Sequence, residues 1–112
     1  PPFDGPQVVF APGSSEVPIT AAPVLDNVAA KLRADPLVNV VLVGHTEDLG
    51  SAEFAVAVSG RCIRAVGQEL IKRGARPSQI RMLARGYENS PRRCDKACQR
   101  RMRHVDIVLS DD

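Results

Sequence analysis

The apolar positions change period several times along this chain, and each change marks an element. QVVF at 7–10 is β-branched and bounded by Pro6 and Pro12, which predicts a short strand. APGSSEVP at 11–18 carries turn chemistry. In the stretch that follows, Val24, Leu25, Val28, Ala29 and Leu32 repeat with helical spacing and predict an amphipathic helix. Thr20 is its expected N-cap, Pro23 fits the first turn where its missing N–H is harmless, and Pro36 ends it. VNVVLVG at 38–44 is too short and too β-branched for a helix; its near-continuous apolarity predicts a strand buried on both faces. A second helix is expected over 51–73, closed by Gly74, with Phe54, Val58, Ile63, Val66 and Leu70 facing inward. Pro77 and Ser78 open a turn. IRMLARGY reads as a third strand, with Ile80, Met82 and Ala84 on one side and Arg81, Leu83 and Arg85 on the other. A loop over 88–98 and a short helix over 99–103 precede the last strand, HVDIVLS, where Val105, Ile107 and Leu109 oppose His104, Asp106 and Val108.

The order is β-α-β-α-β-(α)-β, which predicts an α/β two-layer sandwich with helices packed on one mixed sheet. A chain of 112 residues is enough for one compact domain and not two. Residues 1–6 read as a linker and 7–112 as the domain. The opening PPFDGP, without an initiator Met, suggests a domain taken from a longer protein. No apolar run reaches the length of a membrane span, so no membrane insertion by this domain is expected. With aromatics at 4%, the core has to be built from Val, Ile, Leu and Ala. The net charge of +2 gives no argument for nucleic acid. PRRCDKACQRRMR at 91–103 is nevertheless strongly basic, either a solvated face or a patch for acidic groups.

Three cysteines cannot all pair within one chain. Cys94 and Cys98 are near enough in sequence to bridge, as a disulfide in a periplasmic setting or as two thiols in the cytosol. Cys94, Cys98 and His104 could supply three metal ligands, but the spacing fits no standard zinc pattern and a fourth ligand is missing. No metal and no cofactor are expected. GHTEDLG at 44–50 ends a strand in a polar loop before a helix, a common place for a ligand. His45 has Glu47 and Asp48 close in sequence, but no motif sets a nucleophile beside it, so an enzyme is not expected. Glu47 and Asp48 either favour the dipole at the start of the second helix or receive a cationic group. A carboxylate working with a guanidinium on the next helix would grip a zwitterion at both ends.

These motifs together resemble the C-terminal OmpA-like domain family. GHT is followed by an acid and then a Gly, an aromatic and a Ser on a long helix; VVF precedes the first helix, RGY lies near the third strand, and RMRHVDIVLS resembles the family's Asn-Arg-Arg-Val-Glu-Ile close. The resemblance covers nearly the whole chain. It implies a domain of the bacterial envelope, in the periplasm and attached to a longer outer-membrane or cell-envelope protein. Its implied ligand is the peptidoglycan stem peptide, gripped at diaminopimelate by the Asp of Gly-His-Thr-Asp and the Arg of Leu-Ser-x-x-Arg-Ala.

The family's acid position falls on Glu47, with Asp48 after it. Its Leu-Ser falls on Val58 and Ser59, and its Arg on Cys62. The Asn of its Tyr-Asn pair falls on Ala55, and Asn-Arg-Arg falls on Met102, Arg103 and His104. The apolar and glycine positions survive while the gripping positions change. A neutral thiol does not replace a guanidinium, and losing such a partner costs a few kcal/mol. Arg61 points to another helix face unless the helix slips by one residue, in which case Asp48 would act with it. Arg103 could reach the loop from the last strand. The expectation is therefore an OmpA-like envelope module with weak or altered peptidoglycan binding; the alternative is a scaffold for envelope protein partners that no longer binds peptidoglycan.

Overall fold

The central strand of the sheet is β2, Asn39–His45, and the rest of the chain is arranged around it. In this computed structural model, which describes residues 5–87 and 94–111, β2 pairs antiparallel with β4, His104–Ser110, and parallel with β3, Ile80–Gly86. β1, Gln7–Val9, adds antiparallel to the far edge of β4, giving the order β1-β4-β2-β3. Parallel neighbours need a crossover, and α2, Ala52–Lys72, provides it between β2 and β3. α1, Ala22–Ala34, packs beside α2 on the same side of the sheet. This is the expected α/β layering on a mixed sheet.

Helices cover only one face, and that corrects the expectation for β2. Val40, Leu42 and Gly44 are buried, while Val41, Val43 and His45 alternate with them and are half-buried. Leu25, Val28, Ala29 and Leu32 of α1 join Val40, Leu42, Val66, Leu70, Val105 and Ile107 in one core. Gly44 is where α2 comes closest to β2. A Cβ there would lie 2.7 Å from Ile63 Cγ1 and 2.8 Å from the Ser59 carbonyl oxygen. The inward stripe of α2 runs through Ala55, Val58, Ser59, Cys62, Ile63, Val66, Gly67 and Leu70. Phe54 is 50% exposed and does not face the core; the small Ala55 takes that place.

Two other boundaries differ from expectation. A 3-10 turn, Ile19–Ala21, absorbs Thr20, so α1 starts after Ala21 with no side-chain cap, although Pro23 does sit in its first turn. Near the C-terminus, Asp95 caps α3, Lys96–Arg100, by accepting from the Cys98 N–H at 2.8 Å, so this helix begins before Gln99. The rest of the expected loop, 88–93, lies outside the described residues. Gly74 closes α2 as expected, at φ 101°. The buried Gln79 amide ties α1 to the sheet by donating to the carbonyls of Leu32, Asp35 and Val38.

Candidate functional site

β2 leads directly into the polar loop. Thr46, fully buried, donates its backbone N–H to the Gly86 carbonyl at 2.7 Å and its hydroxyl to the Glu47 carbonyl at 2.8 Å. Gly86 in turn donates to Ser59 Oγ at 3.1 Å, and that hydroxyl donates to the Val56 carbonyl. Ser59 is thus a buried tie between α2 and the end of β3. Asp48 is exposed and accepts from the Gly50 N–H at 2.9 Å, while Ser51 caps α2 by accepting from Phe54.

Glu47 is turned toward the last strand. Arg103 Nε donates to Glu47 Oε1 at 3.0 Å, and Arg103 Nη1 donates to the Ser14 carbonyl at 3.2 Å. The guanidinium is buried, the carboxylate partly exposed. Cys62 lies in the same neighbourhood but is fully buried, its sulfur 4.0 Å from the Ser15 hydroxyl. Burial pushes the Cys62 thiol up, and Glu47 adds to this against the opposing pull of Ser15, Arg103 and Arg61. Cys62 therefore stays a neutral thiol at neutral pH. The loop at Ser15 thus packs over Cys62. Arg61 is exposed on another face of the helix and does not meet Glu47. Of the expected site residues, the fold brings together Glu47, Cys62 and Arg103.

Beyond Glu47 lies an open groove of about 630 Å³ between the β2–α2 loop and α3. Glu47 and Asp48 line it on the loop side and Lys96 and Arg100 on the α3 side, with Tyr87 and Met102 between. Its size suits a small ligand. A disulfide joins Cys94 to Cys98, with Cα atoms 5.1 Å apart, and fixes the start of α3. The bridge uses both thiols and so removes the Cys94, Cys98 and His104 metal set.

The other face of the sheet carries a second polar group. His45 and His104 pair directly across β2 and β4, with rings stacked at 4.6 Å between centroids. Asp106 lies between them, Oδ2 at 3.2 Å from His45 Nε2 and Oδ1 at 3.5 Å from His104 Nε2. Gln7 Nε2 donates to Asp106 Oδ1 at 2.8 Å. His104 Nδ1 is 2.9 Å from the Met102 carbonyl. Burial lowers the His45 pKa, the His104 ring and Arg85 lower it further, and Asp106 opposes them. The acidic partner of His45 is thus Asp106, not the sequence neighbours Glu47 and Asp48.

Residues 9–103 match the OmpA family. The chain belongs to the OmpA family. The peptidoglycan-associated lipoprotein of Rhizobium meliloti (strain 1021) is 26% identical over 106 residues, which is 94% of this chain and 60% of the relative. The namesake protein of Pseudomonas aeruginosa is 37% identical over 49 residues, 44% of this chain and 29% of the relative. This chain thus spans less than two thirds of either. Among solved structures, the peptidoglycan-associated lipoprotein of Burkholderia pseudomallei superposes with a TM-score of 0.87 at 24% identity, covering 93% of this chain and 89% of that one. The C-terminal domain of Helicobacter pylori MotB gives 0.78 at 20% identity, covering 96% and 85%. At these identities the superpositions speak for the fold.

The OmpA-family reading accounts for Glu47, Cys62 and Arg103, which the sequence had singled out. It does not account for the pairing of His45 with His104 and Asp106. The alternation of HVDIVLS had put His104 and Asp106 on one face. Which strand that face meets is set by the strand order, and no local signal gives it.

Proposed function

We propose that this OmpA-family domain is a non-catalytic anchoring module of the bacterial envelope that binds peptidoglycan stem peptides weakly and in an altered way. In the full-length protein it would sit in the periplasm, attached to an outer-membrane or cell-envelope partner; the Cys94–Cys98 bridge suits that oxidising compartment. The observation that carries the reading is the Arg103–Glu47 ion pair beside the buried Cys62. The carboxylate that would take the ligand's amine already faces a cation, and the helix position that would take its carboxylate holds an apolar-packed thiol. A ligand amine has to share Glu47 with Arg103, and the missing charge partner alone costs about a hundredfold in affinity. The groove supplies the alteration. Glu47 and Asp48 on one wall and Lys96 and Arg100 on the other can hold the two ends of a zwitterion.

A sacculus pull-down tests this. The natural domain is expected to pellet weakly. Glu47→Ala and the pair Lys96→Ala with Arg100→Ala are expected to abolish what remains, with circular dichroism confirming the fold. Tight pelleting that neither change disturbs would overturn the reading. Cys62→Arg is informative only where the fold survives, because the new side chain has to displace the loop at Ser14 and Ser15.

A second reading, a protein-interaction module within a larger envelope complex, draws on the start of α2. Phe54 is 50% and Val56 43% exposed there, close to Tyr87 at 43%. Complete absence from the sacculus pellet, with Phe54→Ser disrupting a purified envelope complex, would favour it.

A further inference from the structure

His104 poses a question of charge. The Met102 carbonyl oxygen can only accept, so the His104 Nδ1 facing it at 2.9 Å carries the proton. In the neutral ring Nε2 is then bare, and it faces Asp106 Oδ1 at 3.5 Å, lone pair toward carboxylate. His45 Nε2 approaches the other oxygen of the same carboxylate at 3.2 Å. Two nitrogen atoms and a carboxylate thus converge on a volume that calls for positive charge. A metal ion would supply it.

We propose that His45, His104 and Asp106 form a binding site for a divalent transition-metal ion of the zinc, nickel and copper class, on the face of the sheet opposite the helices. The donor set is two imidazoles and one carboxylate, the combination these borderline ions take. The ligand atoms all lie within 4.8 Å of one another. Bonds of about 2.0–2.2 Å in tetrahedral geometry want ligand atoms about 3.3 Å apart. The two carboxylate–imidazole distances, 3.2 Å to one oxygen and 3.5 Å to the other, are of that size.

The surroundings are those of a supported site. His104 donates its other ring nitrogen to a backbone carbonyl, which fixes its tautomer, and Gln7 holds Asp106. Such contacts orient ligands and raise their basicity. Both histidines are partly open to solvent, so water can complete the coordination, while Asp106 is buried. Arg85 contributes positive charge near His45. That disfavours ions such as calcium or magnesium, which are held mainly by charge and oxygen ligands, and leaves those that bond covalently to imidazole nitrogen. The site stands apart from the groove at Glu47 and does not depend on the function proposed for it.

The test is a Zn²⁺ titration of the whole chain, prepared without a histidine tag, followed by calorimetry and by the ring nitrogen signals in NMR. One equivalent is expected to bind and to shift the rings of His45 and His104 together. His104→Gln and Asp106→Asn are expected to weaken binding more than about tenfold, while Glu47→Gln leaves it unchanged. The absence of saturable Zn²⁺ binding to the natural chain would overturn the proposal. So would a Zn²⁺ complex that leaves both rings unshifted, or one that survives equally in His104→Gln and Asp106→Asn with their folds intact.

Discussion

Gly44 and His45 are neighbours in sequence, yet the regions around them handle polar groups in opposite ways. On the helix side, Glu47 is paired with Arg103, Ser59 with Gly86 and Val56, and Cys62 is packed away beside Ser15. Each polar group there has a partner within the chain. On the open side, two imidazoles share one carboxylate. The helix side is closed by pairing and packing. The open side holds donors arranged toward a common point. A family match draws attention to the first region; the second comes into view only where β2 and β4 pair.

The sharpest way to break this contrast is at the seam. Gly44→Ala would place a methyl group 2.8 Å from the Ser59 carbonyl oxygen and 2.7 Å from Ile63. The Ile63 side chain can turn, but the backbone oxygen cannot move without shifting α2. Overpacking of this kind costs about 1–3 kcal/mol, and the upper end is expected. Urea denaturation should report the loss. Cys62 should also become reactive to thiol reagents in the native state, while the His45 and His104 ring signals stay close to those of the natural chain. Equal disturbance on both faces would mean that the two regions are mechanically one.

Next in size is the ion pair. Glu47→Ala leaves Arg103, 7% exposed, without its carboxylate, and an unpaired buried charge is expensive. A loss of about 2 kcal/mol is expected, below the 3–5 kcal/mol of a fully buried pair because Glu47 is partly hydrated. Arg103→Met should cost less, since the Glu47 carboxylate it leaves behind can turn to water. Comparing the two variants by chemical denaturation measures the asymmetry. If Arg103→Met were the more damaging, the bond from Arg103 to the Ser14 carbonyl, and not the ion pair, would be what closes the site.

Much of this arrangement could be read along the chain because it rests on local period. The spacing of Val24, Leu25, Val28, Ala29 and Leu32 gave α1, and the alternation of HVDIVLS assigned each β4 side chain to its face. The reading failed where size and periodicity disagreed. Phe54 was expected on the inward stripe with Val58, but α2 lies close to the sheet along Ala55, Ser59 and Gly67, and close packing selects for small residues. Burial of β2 on both faces was read from its apolarity, which does not reveal whether helices lie on one side or two. Gln79 looks like part of a turn, and only the assembled fold puts three carbonyls around its amide. In the site, Arg103 was legible as a candidate from its place before the last strand. The union of His45, His104 and Asp106 was not, because strand order is decided by contacts distant in sequence.

The smallest effect concerns the buried Cys62 thiol. Its folded pKa is raised above the ordinary value, chiefly by burial. As pH rises past the unfolded value, near 8.5–9, the unfolded chain releases the Cys62 proton and the folded chain keeps it. The unfolded state then binds fewer protons, so stability falls with increasing pH. The contribution is fully present below the unfolded pKa and is lost as pH climbs toward and through the folded one. The measurement has to be a difference, so that contributions from the rest of the chain cancel. Stability of the natural chain and of Cys62→Ala should be followed from pH 7 to 10, with Cys94–Cys98 kept oxidised. The cavity cost in Cys62→Ala does not depend on pH, so the gap between the two curves is expected to narrow above about pH 8.5. A constant gap would mean that Cys62 ionises as easily folded as unfolded. That would require water or the Arg103 charge to reach its sulfur, and the helix side would then be less closed than the open side it is contrasted with.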